Sequence, residues 1–141
     1  EGTPKYKGKV LRRHGDEAEL LENGYYRMHG RVDDAMNLGG IKVSSIQIEE
    51  VINQLGFIKE SAAIAVSPKD GGPSILVVYY VESNNTFESR ERLQLAKQSI
   101  KEQLNPLFKV NDLVKTDVLP RTASGKVMRR KLRNAYSRQL Q

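Results

Sequence analysis

The sequence contains no cysteine, so neither disulfides nor thiolate metal sites can hold this chain together, and a reducing compartment suits it. Histidine is scarce as well. Only His14 and His29 are present, without the His-x-x-x-His spacing of helical zinc ligands, so no metal site is expected. No apolar run approaches the roughly 20 residues that span a membrane, and no signal peptide is visible. Acidic residues are missing from one region in particular: positions 121–141 hold seven Lys or Arg and no Asp or Glu, whereas the first 120 residues hold 16 basic and 17 acidic side chains. The net charge of +6 therefore belongs to the tail, and an anionic partner would be met there. At 141 residues the chain is long enough to bury a core, as one domain or as one domain plus a piece of another.

The basic tail opens with the stretch around which the chain is organised. Leu119 and Pro120 precede Arg121, and the small residues Thr122, Ala123, Ser124 and Gly125 then form a turn, predicted to be flexible, that ends in Lys126. A long cationic side chain beside a glycine can reach a phosphate or carboxylate while the backbone comes close to the ligand. The Walker A phosphate loop is excluded, because it needs a glycine six positions before the lysine and Pro120 stands there.

From the N-terminus, residues 1–9 are polar and carry Gly2, Pro4 and Gly8, reading as a tether or a cut end. His14, Gly15 and Asp16 lead into a segment that reaches an Asn23-Gly24 turn and then Tyr25 and Tyr26, a strong hairpin pattern. By itself Asp16 reads as a turn residue. Gly30, Arg31, Asp33 and Asp34 form a charged pivot, followed by Gly39 and Gly40 inside an apolar extended segment that comes close to something. Ser44 and Gln47 can form a capping box for a helix whose apolar face is Ile48, Val51, Ile52 and Leu55.

The remainder reads as scaffold. Strands are predicted over 61–67 and 75–81, and the unbroken apolar run of the second suggests cover on both faces. Tyr79 and Tyr80 are expected to divide between core and surface of that strand. A helix over 89–104 presents Leu93, Ala96, Ile100 and Leu104 and stops before Pro106. A short strand over 113–119 leads into the lysine loop. A last helix has Met128, Leu132, Ala135, Tyr136 and Leu140 on one face and basic residues on the other.

Three motifs, in order, resemble the C-terminal region of the ANL adenylate-forming enzymes, the superfamily of acyl- and aryl-CoA synthetases, peptide-synthetase adenylation domains and beetle luciferases. They are His14-Gly15-Asp16; Gly30-Arg31 with Asp33-Asp34, Gly40 and Lys42; and Pro120 with Thr122 and Ser124-Gly125-Lys126. The wording around Met36-Asn37 and Met128-Arg129-Arg130 is most similar to acyl-CoA synthetases of the acetyl-CoA synthetase type. The resemblance implies an α+β fold, with a small central, mostly antiparallel sheet, helices on both of its faces and a β-hairpin before it.

Roles follow from the resemblance residue by residue. Asp16 is similar to the aspartate that holds the ATP ribose, and Arg31 to an arginine that contacts the nucleotide. Asp33 resembles the hinge about which a small C-terminal domain rotates between half-reactions. Gly40 resembles the glycine lining the pantetheine tunnel, and Lys42 stands where relatives often place a CoA-contacting arginine. Lys126 resembles the lysine that bridges the substrate carboxylate and the α-phosphate in adenylation, with Thr122, Ser124 and Gly125 supporting its loop. Ordinary surface roles compete for each of these, most strongly for Lys42.

The resemblance places residues 1–32 at the end of a large N-terminal AMP-binding domain and residues 33–141 in the mobile C-terminal domain. A fragment of an ATP-dependent acyl-CoA ligase follows, inactive alone, whose parent would use a carboxylate, ATP with Mg2+, and CoA. Lys126 is then a candidate for acylation by a modifying enzyme. An intracellular location is expected, in the cytoplasm or an organelle matrix; the ending at Gln141 is not a peroxisomal Ser-Lys-Leu type signal, and peroxisomal residence stays open. Two other readings are a free-standing, non-catalytic interaction domain and a basic nucleic-acid module. The second lacks a recognisable binding signature, so no nucleic acid is expected as partner.

Overall fold

A computed structural model describes residues 5–10, 16–31, 34–83 and 87–140. The chain divides into two compact units, Glu1–Asp34 and Ala35–Gln141. In the first, β1 (Lys5–Tyr6) pairs antiparallel with β2 (Lys9–Val10). The expected tether thus contains a small hairpin. Its turn puts Lys7 and Gly8 at φ +47° and +77°, and the glycine meets the second of these demands without a Cβ penalty. The hairpin expected around Asn23-Gly24 is present: β3 (Asp16–Leu20) pairs antiparallel with β4 (Tyr26–Arg31). Gly24 adopts φ +82° and donates its N–H to the Leu21 carbonyl at 2.9 Å.

The second unit begins with another hairpin, β5 (Ala35–Leu38) and β6 (Ile41–Ser44), in which Met36, Leu38 and Val43 face the core. Helix α1 (Ser45–Ile52) follows at once, started by the expected capping box between Ser44 and Gln47. Ile48, Val51 and Ile52 are buried along one side, with Leu55 packed beside them.

The central sheet has the order β7-β8-β9, with β7 (Ile58–Val66), β8 (Ile75–Glu82) and β9 (Val110–Lys115). β7 and β8 are antiparallel neighbours, while β9 lies parallel to β8. The parallel step is a consequence of α2 (Ser89–Gln103), since a strand that follows a crossover helix returns in the direction of the strand before it. The expectation of a mostly antiparallel arrangement therefore holds for the hairpins and for β7–β8, and the central sheet itself is mixed.

Alternation along β7 and β8 sorts the core into two faces. Ala63, Leu76, Val78 and Tyr80 meet α1 and α2 through Ile48, Ile52, Ala96 and Ile100. Ala62, Ile64, Val66, Val77 and Tyr79 meet Leu132 and Tyr136 of α3 (Arg129–Gln139) on the other side. Helices cover both faces, as expected. The tyrosine pair departs from expectation: both are buried, on opposite faces, because helices cover β8 on both sides.

Three further details differ from the sequence pattern. The last strand runs over Val110–Lys115 and not 113–119, since its parallel register with β8 ends at Tyr80 and Lys115. Ala135 and Leu140, assigned to the apolar face of the last helix, are exposed, and α3 is held by Leu132 and Tyr136. Arg92 on α2 is buried, where only apolar residues were expected. Its guanidinium lies 5.6 Å from the Phe57 ring centroid, donates to the Tyr80 hydroxyl at 2.8 Å and pairs with Glu82 at 2.5 Å. Lys115 pairs with the same carboxylate. The hydrogen bond from Lys115, with Arg92 adding to it, holds the Glu82 carboxyl below its ordinary range against the opposing effect of burial.

Candidate active site

The lysine loop is a closed hairpin. Arg121 and Val127 form an antiparallel bridge, the Thr122 N–H donates to the Lys126 carbonyl at 2.8 Å, and the Gly125 N–H donates to the Thr122 carbonyl at 2.9 Å. The Thr122 hydroxyl accepts from the Lys126 N–H at 3.2 Å and lies 3.0 Å from the Ser124 hydroxyl. Gly125 takes φ +84°, a left-handed position that a side chain would disfavour. The flexible turn read from the small residues is thus a hydrogen-bonded loop, because Thr122 supplies a backbone pair and a side-chain acceptor together. Lys126 is exposed at its end.

Both legs of this hairpin are tied down. Leu119 is buried before it, Val127 packs on the same cluster after it, and the Met128 N–H donates to the Pro120 carbonyl at 2.7 Å. Arg121 donates to the Gly125 carbonyl at 2.8 Å through one nitrogen and to Glu60 of β7 at 2.6 Å through the other. Arg129, the first residue of α3, donates to Glu49 of α1 at 2.6 Å, and the same Glu49 oxygen accepts the Ala63 N–H of β7 at 2.9 Å. The Arg129 and Glu49 side chains are only 10% and 13% exposed. Sequence reading passed over Glu49, Glu60, Arg121 and Arg129. Two arginines flanking the loop were visible, but their partners lie 61 and 80 residues away in the chain.

The other candidates fall in separate hairpins. Asp16 and Arg31 are register partners across β3 and β4, so this hairpin sets the two nucleotide candidates opposite one another. Gly40 and Lys42 share the β5–β6 hairpin. Gly39 and Gly40, expected inside an extended segment, instead form its two-residue turn, at φ +62° and +86°, the pairing that primed hairpin turns require. The Gly40 N–H donates to the Asn37 side chain at 2.9 Å, and Lys42 is exposed on β6. Asp33, the hinge candidate, lies outside the described residues, as do His14 and Gly15. Among the described residues no three His, Cys, Asp or Glu side chains gather as a metal site, and no helix is long and apolar enough to cross a membrane.

A cationic side chain carried on a braced, solvent-facing hairpin is suited to meeting an anionic group on another body. Comparison with known proteins places this architecture. The family model of the AMP-binding enzyme C-terminal domain matches residues 47–126, and the chain belongs to that family. It is 50% identical to the hexanoyl-CoA synthase of Cannabis sativa, over 97% of this chain and 20% of that protein. It is 51% identical to the probable acyl-activating enzyme 17, peroxisomal, of Arabidopsis thaliana, over 94% of this chain and 19% of that one. The acetyl-coenzyme A synthetase of Photobacterium profundum is 34% identical over 84% of the chain and 18% of its own length. Among solved structures, the anthranilate CoA ligase AuaEII in complex with anthranoyl-AMP superposes with a TM-score of 0.70 at 26% identity, covering 86% of this chain and 23% of that one. The chain thus spans about one fifth of the curated relatives it matches.

Proposed function

We propose that this chain is the C-terminal portion of an ATP-dependent acyl-CoA synthetase. In the whole enzyme a carboxylate oxygen attacks the α-phosphorus of ATP, the bond to the β,γ-phosphates breaks, and acyl-AMP forms as pyrophosphate leaves. The CoA thiolate then attacks the acyl carbon and AMP departs. Lys126 serves the first step. Its ammonium donates to the incoming carboxylate and to the α-phosphate, where negative charge accumulates in the transition state. The observation that carries this reading is the exposed Lys126 at the tip of a hairpin fixed at both legs, in a chain about half identical to two acyl-activating relatives.

Asp16 and Arg31 hold the nucleotide from the β3–β4 hairpin, and residues 1–32 are the end of the large AMP-binding domain. Asp33 is the hinge at which residues 33–141 rotate between half-reactions, and Gly40 with Lys42 then takes the pantetheine and phosphates of CoA. Mg2+ would enter with ATP as part of the substrate and screen its phosphate charge. Exposure of Lys126 also makes it a target for acylation, which would remove the charge that adenylation needs. The enzyme works where ATP and CoA are both available, in the cytoplasm or an organelle matrix such as the peroxisome named for one relative.

The test compares wild type with Lys126→Ala in the full-length enzyme that carries this segment, in two assays. Carboxylate-dependent ATP–pyrophosphate exchange is expected to fall by about three orders of magnitude, in the range set by losing an electrostatic stabiliser of the transition state. Thioester formation from preformed acyl-AMP and CoA is expected to persist. Survival of both activities would return Lys126 to ordinary surface and favour the non-catalytic interaction domain.

A further inference from the structure

We infer that Glu49 and Glu60 are positioning residues for Lys126; this rests on the adenylation role given to that lysine above. The two carboxylates touch neither Lys126 nor its loop's small residues. Each acts through an arginine at one leg of the hairpin: Glu60 through Arg121 at 2.6 Å, and Glu49 through Arg129 at 2.6 Å.

The braces differ in kind. Arg121 bridges, with one nitrogen on Glu60 and the other on the Gly125 carbonyl, so its pairing with β7 fixes the peptide directly before Lys126. That pair is partly exposed, at 41% and 34%, and adds little stability by itself. Its worth is geometric. The Glu49–Arg129 pair is buried, and its carboxylate is also anchored by the Ala63 N–H, so α1, β7 and the start of α3 meet at one group. A charge at this depth that loses its partner is costly, which makes the arrangement stiff. Together the braces fix the lysine hairpin at both ends to the edge strand and the first helix. A charge that stabilises the transition state must be delivered to within about 1 Å, and misplacement on that scale costs about 100-fold in rate.

Replacing each glutamate by glutamine keeps size and leaves an amide oxygen for the Ala63 N–H, while removing the charge that holds each arginine. The experiment uses the full-length enzyme with Glu49→Gln/Glu60→Gln, each single variant, and Lys126→Ala beside them. For the double variant, ATP–pyrophosphate exchange is expected to fall about 100-fold while thioester formation from preformed acyl-AMP stays within about twofold, a split that general destabilisation does not produce. Amide exchange at Gly125 and Lys126 should quicken in the same variant. Should Lys126→Ala abolish adenylation while the double variant keeps it, the positioning role is overturned and the function stands. Equal loss of both half-reactions would also overturn it, as a merely structural effect. If Lys126→Ala itself leaves adenylation intact, the functional reading falls and this inference falls with it.

Discussion

Gly39 and Gly40 offer a matched pair of substitutions in which conformational strain and function separate. Both occupy the turn of the β5–β6 hairpin with positive φ, +62° and +86°, and a methyl group at either would meet no atom within 4 Å among the described residues. Steric clash therefore contributes nothing. The cost of alanine at each is that of a left-handed backbone, about 1–2 kcal/mol, less about 0.4–1 kcal/mol because alanine also restricts the unfolded chain. A net loss of roughly 1 kcal/mol would lower the melting temperature by about 4–6 °C for a unit of this size. Gly39→Ala and Gly40→Ala should match in this respect. Only Gly40 is assigned to the path of the CoA thiol. In the full-length enzyme, thioester formation from preformed acyl-AMP should then fall at least tenfold further for Gly40→Ala than for Gly39→Ala, with ATP–pyrophosphate exchange alike in the two, since a methyl in a narrow path excludes the substrate. Equal loss of thioester formation at both positions would refute the assignment of Gly40 and leave turn strain as the whole explanation. Melting temperatures unchanged in both variants would refute the strain argument instead.

Leu132→Ala should destabilise the chain by about 3 kcal/mol in urea titration, through lost burial and the cavity beneath α3, while Leu140→Ala, at a position 59% exposed, should stay within about 0.5 kcal/mol. Equal effects would contradict the placing of the α3 contact at Leu132 and Tyr136. For Glu82, whose carboxyl is held below its ordinary range by Lys115 and Arg92, the unfolded chain takes up the proton at a higher pH than the folded one. Its contribution is therefore complete above the usual glutamate value of about 4.3 and is lost as pH falls through the lower folded value. The stability gap between wild type and Glu82→Gln should be widest near neutral pH and shrink below about pH 4; a gap constant from neutral to acid would rule out this ion cluster as the source.

What the sequence made legible was local. The capping box of Ser44 and Gln47, the Asn23-Gly24 hairpin and the run over 75–81 each depend on neighbours within a few residues, and the structure contains all three features. Less legible was anything decided by a distant partner. Arg92 could not be read as buried, because burial depends on Glu82, Tyr80 and Phe57 all reaching it. The ends of β9 follow from its register against β8, and the division of Tyr79 and Tyr80 between core and surface fails because helices pack on both faces of β8. At the lysine loop, composition gave the turn and the charge; the Thr122 hydrogen bonds that close it, and the glutamates that brace it, are contacts of the folded chain.

The braces also bear on how β7 survives as an edge. An edge strand leaves backbone N–H groups unpaired on its outer side, a liability for aggregation unless something covers them. At Ala63 the cover is the Glu49 carboxylate, which reaches across from α1 to accept that N–H. A buried carboxylate needs a counter-charge, and Arg129 supplies it from the first turn of α3. The lysine hairpin lies immediately before that turn, so the contact that protects the sheet edge is also the contact that fixes the hairpin's second leg. Stability and delivery of Lys126 therefore share one group. Replacing the Glu49–Arg129 pair by apolar residues of similar size exchanges the ion pair itself at little net cost, and the remaining loss of stability is the unpaired buried Ala63 N–H, about 1–3 kcal/mol. It would uncover the Ala63 N–H and release the hairpin from α1. A variant that stays folded but is defective in adenylation is what distinguishes a pair kept for position from one kept for stability.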